Sequence, residues 1–200
     1  TLLASMAAAH GQPFAPTLTG FKWIGRVPGL AFGYEEAIGY CTDAAAVPDK
    51  DGITTLVRLL VLVAGLRASG ETVAQRLDAI ARTYGVHLTS QLAFRVADLT
   101  LIAAAMARVR ATPPRQLAGE AVAATDLASG SPELPATDGM LFTGESVRVV
   151  VRPSGTEPKL KCYLQVRLPP TPHDLAGARS EASALLSGLR HDLDLALRLD

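Results

Sequence analysis

The sequence predicts an α/β chain in two parts. The first half mixes an apolar helical segment, an amphipathic helix and short strand candidates. The second half reads as helix, several strands and helix, an α+β layer with an antiparallel sheet and flanking helices. Near Val96 to Asp98 an alternating strand gives way to a helix start, which divides the chain into 1–96 and 97–200.

Taken in order, Leu2, Leu3, Met6 and Ala7 form an apolar stripe at helical spacing, and Gly11 closes that helix. The chain opens in this helical rhythm without an initiator Met, and reads as a piece beginning inside a larger protein. Gln12 to Leu18 is broken by proline and leads through a short strand. Gly20 marks a turn before Phe21 or Trp23 enters the core. Leu30-Ala31-Phe32 is a second short strand candidate. Asp51 is an N-cap for the apolar run Ile53 to Leu66. That run holds only Arg58 as a charge and is too short to span a bilayer, so a buried helix is expected. Val73, Leu77, Ile80, Ala81 and Tyr84 share one face of an amphipathic helix, which Gly85 caps.

From Val86 to Val96 apolar and polar residues alternate, as in a half-buried strand, with His87 solvated on the polar face. Asp98 starts a helix to about Arg110, and Thr112-Pro113-Pro114 ends it. Leu117 to Leu127 carries mixed β signal, Ser129 to Pro135 is a loop, and Met140 to Phe142 is a short strand. Val147 to Val151 and Cys162 to Val166 are β-branched or alternating runs, and a helix follows from His173 to about Leu189.

Composition narrows the function classes. Lys plus Arg and Asp plus Glu are 19 each, so no diffuse basic footprint for nucleic acid exists. Aromatics are 5% of the chain, too few for a base-stacking platform. Cys41 and Cys162, far apart, point to free thiols in a reducing, cytoplasmic setting. No secretory signal opens the chain, and no membrane partner is expected. Asp49 and Asp51 supply too few oxygens for a metal, with Lys50 opposing a cation between them.

The chemistry concentrates in Arg152-Pro-Ser-Gly-Thr-Glu-Pro-Lys-Leu-Lys161, a loop between two strands. Arg152 offers a planar fork that matches two phosphate oxygens. Ser154 and Thr156 offer hydroxyls, Gly155 lets the backbone approach a ligand, and Lys159 and Lys161 project from one strand face. This is an anion site, most simply for a phosphate monoester. The alternative is a polar hairpin loop that binds nothing. In Gly33-Tyr34-Glu35-Glu36-Ala37-Ile38-Gly39, one carboxylate facing a cleft can accept bonds from two vicinal sugar hydroxyls. Equally, acids suit the first turn of a helix.

Arg-Pro-Ser-Gly-Thr-Glu-Pro resembles the phosphate-binding loop in the last domain of the α-D-phosphohexomutases. Thr19-Gly20-Phe21-Lys22 is similar to a cleft segment of that family's third domain, and Lys50 matches a basic residue before an Asp-Gly pair. Residues 33–39 resemble the sugar-binding loop Gly-Glu-Glu-Ser-aromatic-Gly, with Tyr34 in place of the first Gly, Ala37 for Ser and Ile38 for the aromatic. The form is similar to the branch containing phosphopentomutases and some phosphoglucomutases. The resemblance implies an incomplete α/β/α third domain with a mixed sheet, lacking its first strand, over 1–96, and the family's C-terminal domain over 97–200.

It also implies a division of roles. Thr19, Gly20, Lys22, Glu35 and Lys50 would contact the sugar; Arg152, Ser154, Gly155, Thr156 and Lys161 would hold the phosphate. Lys161 stands where some relatives carry Arg. The family's phosphoserine loop and its Mg²⁺ loop of Asp-Gly-Asp-x-Asp-Arg type are absent from the sequence. Asp192 and Asp194 do not form the latter, since Leu193 replaces the turn glycine, and they read as surface acids. No catalytic residue and no metal ligand is therefore assigned. Mg²⁺, a sugar bisphosphate activator and the missing N-terminal domains would belong to the parent enzyme, which exchanges phosphoryl groups between the ends of a sugar phosphate.

Overall fold

The computed structural model describes the chain except Glu36, Ala37, Ser131 to Glu133, Thr156 and Asp200. Its elements are α1 (Leu2–Ala9), α2 (Phe21–Ile24), β1 (Gly33–Glu35), β2 (Gly39–Cys41), α3 (Gly52–Ala68), α4 (Val73–Tyr84) and β3 (Val86–Arg95). There follow α5 (Leu99–Ala111), β4 (Gln116–Leu117), β5 (Glu120–Ala121), β6 (Ala123–Asp126), β7 (Met140–Thr143), β8 (Val147–Pro153), β9 (Lys159–Leu168) and α6 (Leu175–Leu197). Two compact units result: residues 1–10 with 80–200, and residues 11–79.

In the larger unit, β3, β9, β8, β7 and β6 form an antiparallel sheet in that order. Alternation along β8 and β9 decides its two faces. Val147, Val149 and Val151 with Leu160, Cys162, Leu164 and Val166 are buried. They share one core with Ile102 and Met106 of α5 and Leu189, Leu193 and Leu197 of α6. Arg148, Arg152, Lys159, Lys161 and Arg167 necessarily take the opposite face, because successive strand residues point to opposite sides. Leu168 and Val86 close the β3–β9 ladder, which runs ten residues in register. Cys162 lies inside this core, where burial, with Asp194 adding to it, pushes its thiol up to about 12. It is a packing residue. Cys41 is likewise a buried free thiol.

Two expectations about this unit change. The strand 86–95, read as the end of the first part, pairs along its whole length with β9, and the division between units falls at 79/80. A half-buried strand takes whichever partner matches its apolar face, and here that partner, Lys159–Leu168, lies far downstream. Asp192 also does more than face solvent: its Oδ2 accepts the Ala118 N–H at 2.7 Å, holding a β4–β5 turn in which Ala118 has φ +51°.

His87 is a third correction. It is half-buried, with Nε2 3.4 Å from the Tyr84 carbonyl. The end of α4 covers it, so it is not solvated. Burial lowers its pKa, and the bond to the Tyr84 carbonyl partly opposes that. The folded chain therefore binds fewer protons at this site than the unfolded chain. Stability should fall as pH drops below the ordinary imidazole value of about 6.5. We expect His87→Gln to flatten this part of the stability profile, measured as the urea midpoint against pH. An unchanged slope would contradict it.

In residues 11–79 the described residues hold one antiparallel hairpin, β1 with β2. Neither the strand expected in 12–18 nor the one at 30–32 is present; the first strand is Gly33–Glu35. The mixed sheet is not among the described residues. Phe21, Ile24 and Cys41 form a small core. Asp51 caps α3 as expected, accepting the Ile53 N–H at 2.9 Å. The expected burial of α3 is not found, however. Ile53 is 78% exposed and Val61 69%, and only Leu66 is buried. A helix apolar on every side needs cover on every side, and a two-stranded hairpin cannot supply it. Among the described residues no single helix is long and apolar enough to cross a membrane.

Candidate functional site

Two clusters of candidate residues form, one in each unit. The first is built on the β1–β2 hairpin. Gly20 has φ +112°, a conformation side chains rarely adopt, and it opens α2 through its carbonyl, which accepts from Trp23 N at 2.9 Å. This turn drives Phe21 inward. Glu35 ends β1, directly opposite Gly39. It therefore lies in a hairpin and not in the first turn of a helix, which was the competing explanation for its charge. Its neighbour Glu36 lies outside the described residues.

Lys50 reaches this hairpin from the segment before α3. Its Nζ lies 2.5 Å from Glu35 Oε1, the lysine side chain 42% exposed and the carboxylate 11%. The ammonium also sits 5.7 Å from the centroid of the Phe21 ring. Glu35 Oε2 is buried and has no hydrogen-bond partner among the described residues. A buried carboxylate oxygen without a donor is costly, and Oε2 is an acceptor with its capacity unfilled by the described residues. Thr19 is exposed just before Gly20. Lys22 is exposed and turns to the Trp23 ring, 5.8 Å away. Of the anticipated sugar contacts, the structure thus brings Glu35 and Lys50 together. Gly20 supports Phe21 beside them, and Lys22 points to its own neighbour.

The second cluster lies where β8 turns into β9. Ser154 N donates to the Lys159 carbonyl at 2.9 Å, closing the loop. An added Cβ on Gly155 would meet no atom within 4 Å, so neither the chain's packing nor a left-handed backbone demands glycine there. The position is open to a ligand approaching the backbone. Thr156, an anticipated phosphate contact, lies outside the described residues.

The register supplies what the sequence hides. Arg152 is directly opposite Lys161, and Arg95 directly opposite Lys159, all on one face. Like charges opposed across a ladder destabilise it. For the outer pair the chain provides its own remedy: Glu157 lies 2.5 Å from Lys159 and 3.4 Å from Arg95. The hydrogen bond from Lys159 holds the Glu157 carboxyl below the usual range. Lys161 makes no ion pair among the described residues. On the helix side of the loop a cavity of about 440 Å³ is floored by Leu99, Ile102 and Met106 and reaches Ser154. Arg110, Asp138 and Glu157 stand at its edge, whereas Arg152 and Lys161 lie on the opposite face of the sheet from the buried strand residues.

Sequence reasoning missed Arg95, Lys159 and Glu157 as a unit, because their meeting depends on the β3–β9 register. It also missed Phe21 and Gly39 beside Lys50. The glycine at the close of the hairpin motif was the available signal. Among the described residues no group of three or more His, Cys, Asp or Glu is placed to hold a metal ion.

Fold and clusters define an α/β chain with a loop of hydrogen-bond donors and cations on a sheet face and a carboxylate–lysine pair on a hairpin. Family models agree on what this is. The model for phosphoglucomutase/phosphomannomutase, alpha/beta/alpha domain III, matches residues 1–84, and that for the phosphoglucomutase/phosphomannomutase C-terminal domain matches residues 92–171. The chain belongs to the phosphoglucomutase/phosphomannomutase family, as its C-terminal portion.

A probable phosphomannomutase of Haemophilus influenzae is 41% identical over 172 residues, covering 82% of this chain and 34% of that protein. A phosphopentomutase of Mus musculus is 30% identical over 214 residues, covering 94% and 34%. In structure, the open form of parafusin, a phosphoglucomutase from Paramecium, aligns with a TM-score of 0.64 over 98% of this chain and 35% of its own, at 16% identity. The chain spans about a third of the length of these relatives.

Proposed function

We propose that this chain is the substrate-binding part of a phosphosugar mutase, an enzyme that interconverts a sugar 1-phosphate and its 6-phosphate, or 5-phosphate for a pentose, through a bisphosphate. The observation that carries this reading is the opposed pair Arg152 and Lys161 beside a loop of hydrogen-bond donors. An anion between two opposed cations turns their repulsion into two attractions, and a phosphate also takes the Arg152 fork in bidentate fashion. Glu35 and Lys50 would orient sugar hydroxyls, Glu35 Oε2 accepting and the ammonium donating. A mutase must hold its bisphosphate in two orientations, so it needs a phosphate site remote from the reacting group.

The nucleophile and the Mg²⁺ site would come from residues outside this stretch, in the N-terminal domains of the parent, with a sugar bisphosphate as activator in the cytoplasm. The residues described here do not form such a metal site, and no phosphoryl-transfer step is assigned to them. A second reading, a non-catalytic phosphosugar-binding module, is favoured for the chain by itself by its lack of a phosphoserine loop. Both readings require phosphate binding. Calorimetric titration of the chain with inorganic phosphate tests it: binding that weakens with added salt is expected, and no heat of binding would count against both.

A further inference from the structure

Gly39 is buried, and its backbone is not in the left-handed region. Conformation therefore does not require glycine here. Space does: a Cβ at Gly39 would stand 2.6 Å from Lys50 Cε, 2.7 Å from Cδ and 2.9 Å from Cγ. All three atoms belong to one flexible stem. At Gly25 and Gly85, by contrast, a Cβ would meet backbone oxygen, at 2.0 Å from Pro48 O and 2.2 Å from Leu168 O. Gly39 is also the cross-strand partner of Glu35. The segment carrying Lys50 runs beside β2, since Asp51 N donates to the Tyr40 carbonyl at 2.9 Å. The missing side chain at 39 is thus the lane through which the Lys50 stem crosses the hairpin to reach Glu35 and the Phe21 ring.

We propose that Gly39 is a positioning residue for the sugar site, keeping open the path that sets the Lys50 ammonium on Glu35. This rests on the reading of Glu35 and Lys50 as sugar contacts. Filling the lane with a methyl group displaces a lysine stem and leaves the backbone as it was.

The test uses the 200-residue chain. The Glu35–Lys50 coupling is measured by a double-mutant cycle in stability, with Glu35→Gln and Lys50→Ala, once with Gly39 intact and once with Gly39→Ala. Coupling is expected in the first case and none in the second. In parallel, Gly39→Ala should weaken glucose 1,6-bisphosphate binding roughly tenfold, the loss of one charge-assisted contact. It should have no further effect in the Lys50→Ala background, where no stem is left to displace. Unchanged coupling in Gly39→Ala would overturn the proposal, as would equal destabilisation by Gly39→Ala with and without the lysine stem. Lost coupling with unchanged bisphosphate affinity would uphold the positioning and overturn the sugar-site reading beneath it.

Discussion

Arg152→Ala should lower the affinity of this chain for inorganic phosphate roughly 10- to 100-fold, the cost of a bidentate charge-assisted contact of about 1.5–3 kcal/mol. The size follows from geometry. Arg152 is held half-buried on the sheet by the β8–β9 ladder, which fixes it opposite Lys161. A fork already placed loses little freedom on binding. Arg152→Lys keeps the charge and loses the fork, so its affinity should fall between the two. Affinity for phosphate that is equal in wild type and Arg152→Ala would place the anion elsewhere.

Gly85→Ala should destabilise the larger unit by on the order of 3 kcal/mol, from the left-handed backbone and overpacking together. Gly85 links α4 to β3 with φ +94°. A Cβ there would lie 2.2 Å from the Leu168 carbonyl oxygen. That carbonyl cannot retreat, because Leu168 is the last β9 residue paired with Val86. The effect should appear as a lower urea midpoint at unchanged slope. A loss below about 1 kcal/mol would mean that this end of the β3–β9 ladder is free to yield.

Legibility from the sequence followed the range of the interactions involved. The alternation in 86–96 and the β-branched run 147–151 declared strands, since a half-buried strand writes its period into its own residues. Asp51 and Asp98 announced helix starts for the same local reason. Partners are another matter. Nothing within 86–95 names β9 as its neighbour, so its place in the downstream sheet was not legible. The apolar run 53–66 says that α3 wants burial but not what would cover it. At the candidate sites, the loop 152–161 was plain from its residue types as a run of hydrogen-bond donors and cations. Pairing Arg152 with Lys161, and Arg95 with Lys159, required the register. Lys50 and Glu35 were separately plausible from resemblance to a family. Their ion pair, and the glycine that admits it, are facts of packing that the string of residues does not display.

The central proposal is that this chain binds phosphate through the 152–161 loop and sugar hydroxyls through Glu35 and Lys50. Calorimetric comparison of glucose 1,6-bisphosphate with inorganic phosphate, on the same wild-type chain at the same salt, tests it most directly. The account predicts that the bisphosphate binds at least roughly tenfold more tightly, the margin of one further charge-assisted contact, and that Glu35→Gln erases most of that margin. Equal affinity for the two ligands, unaffected by Glu35→Gln, would contradict it and leave the loop as a simple anion site.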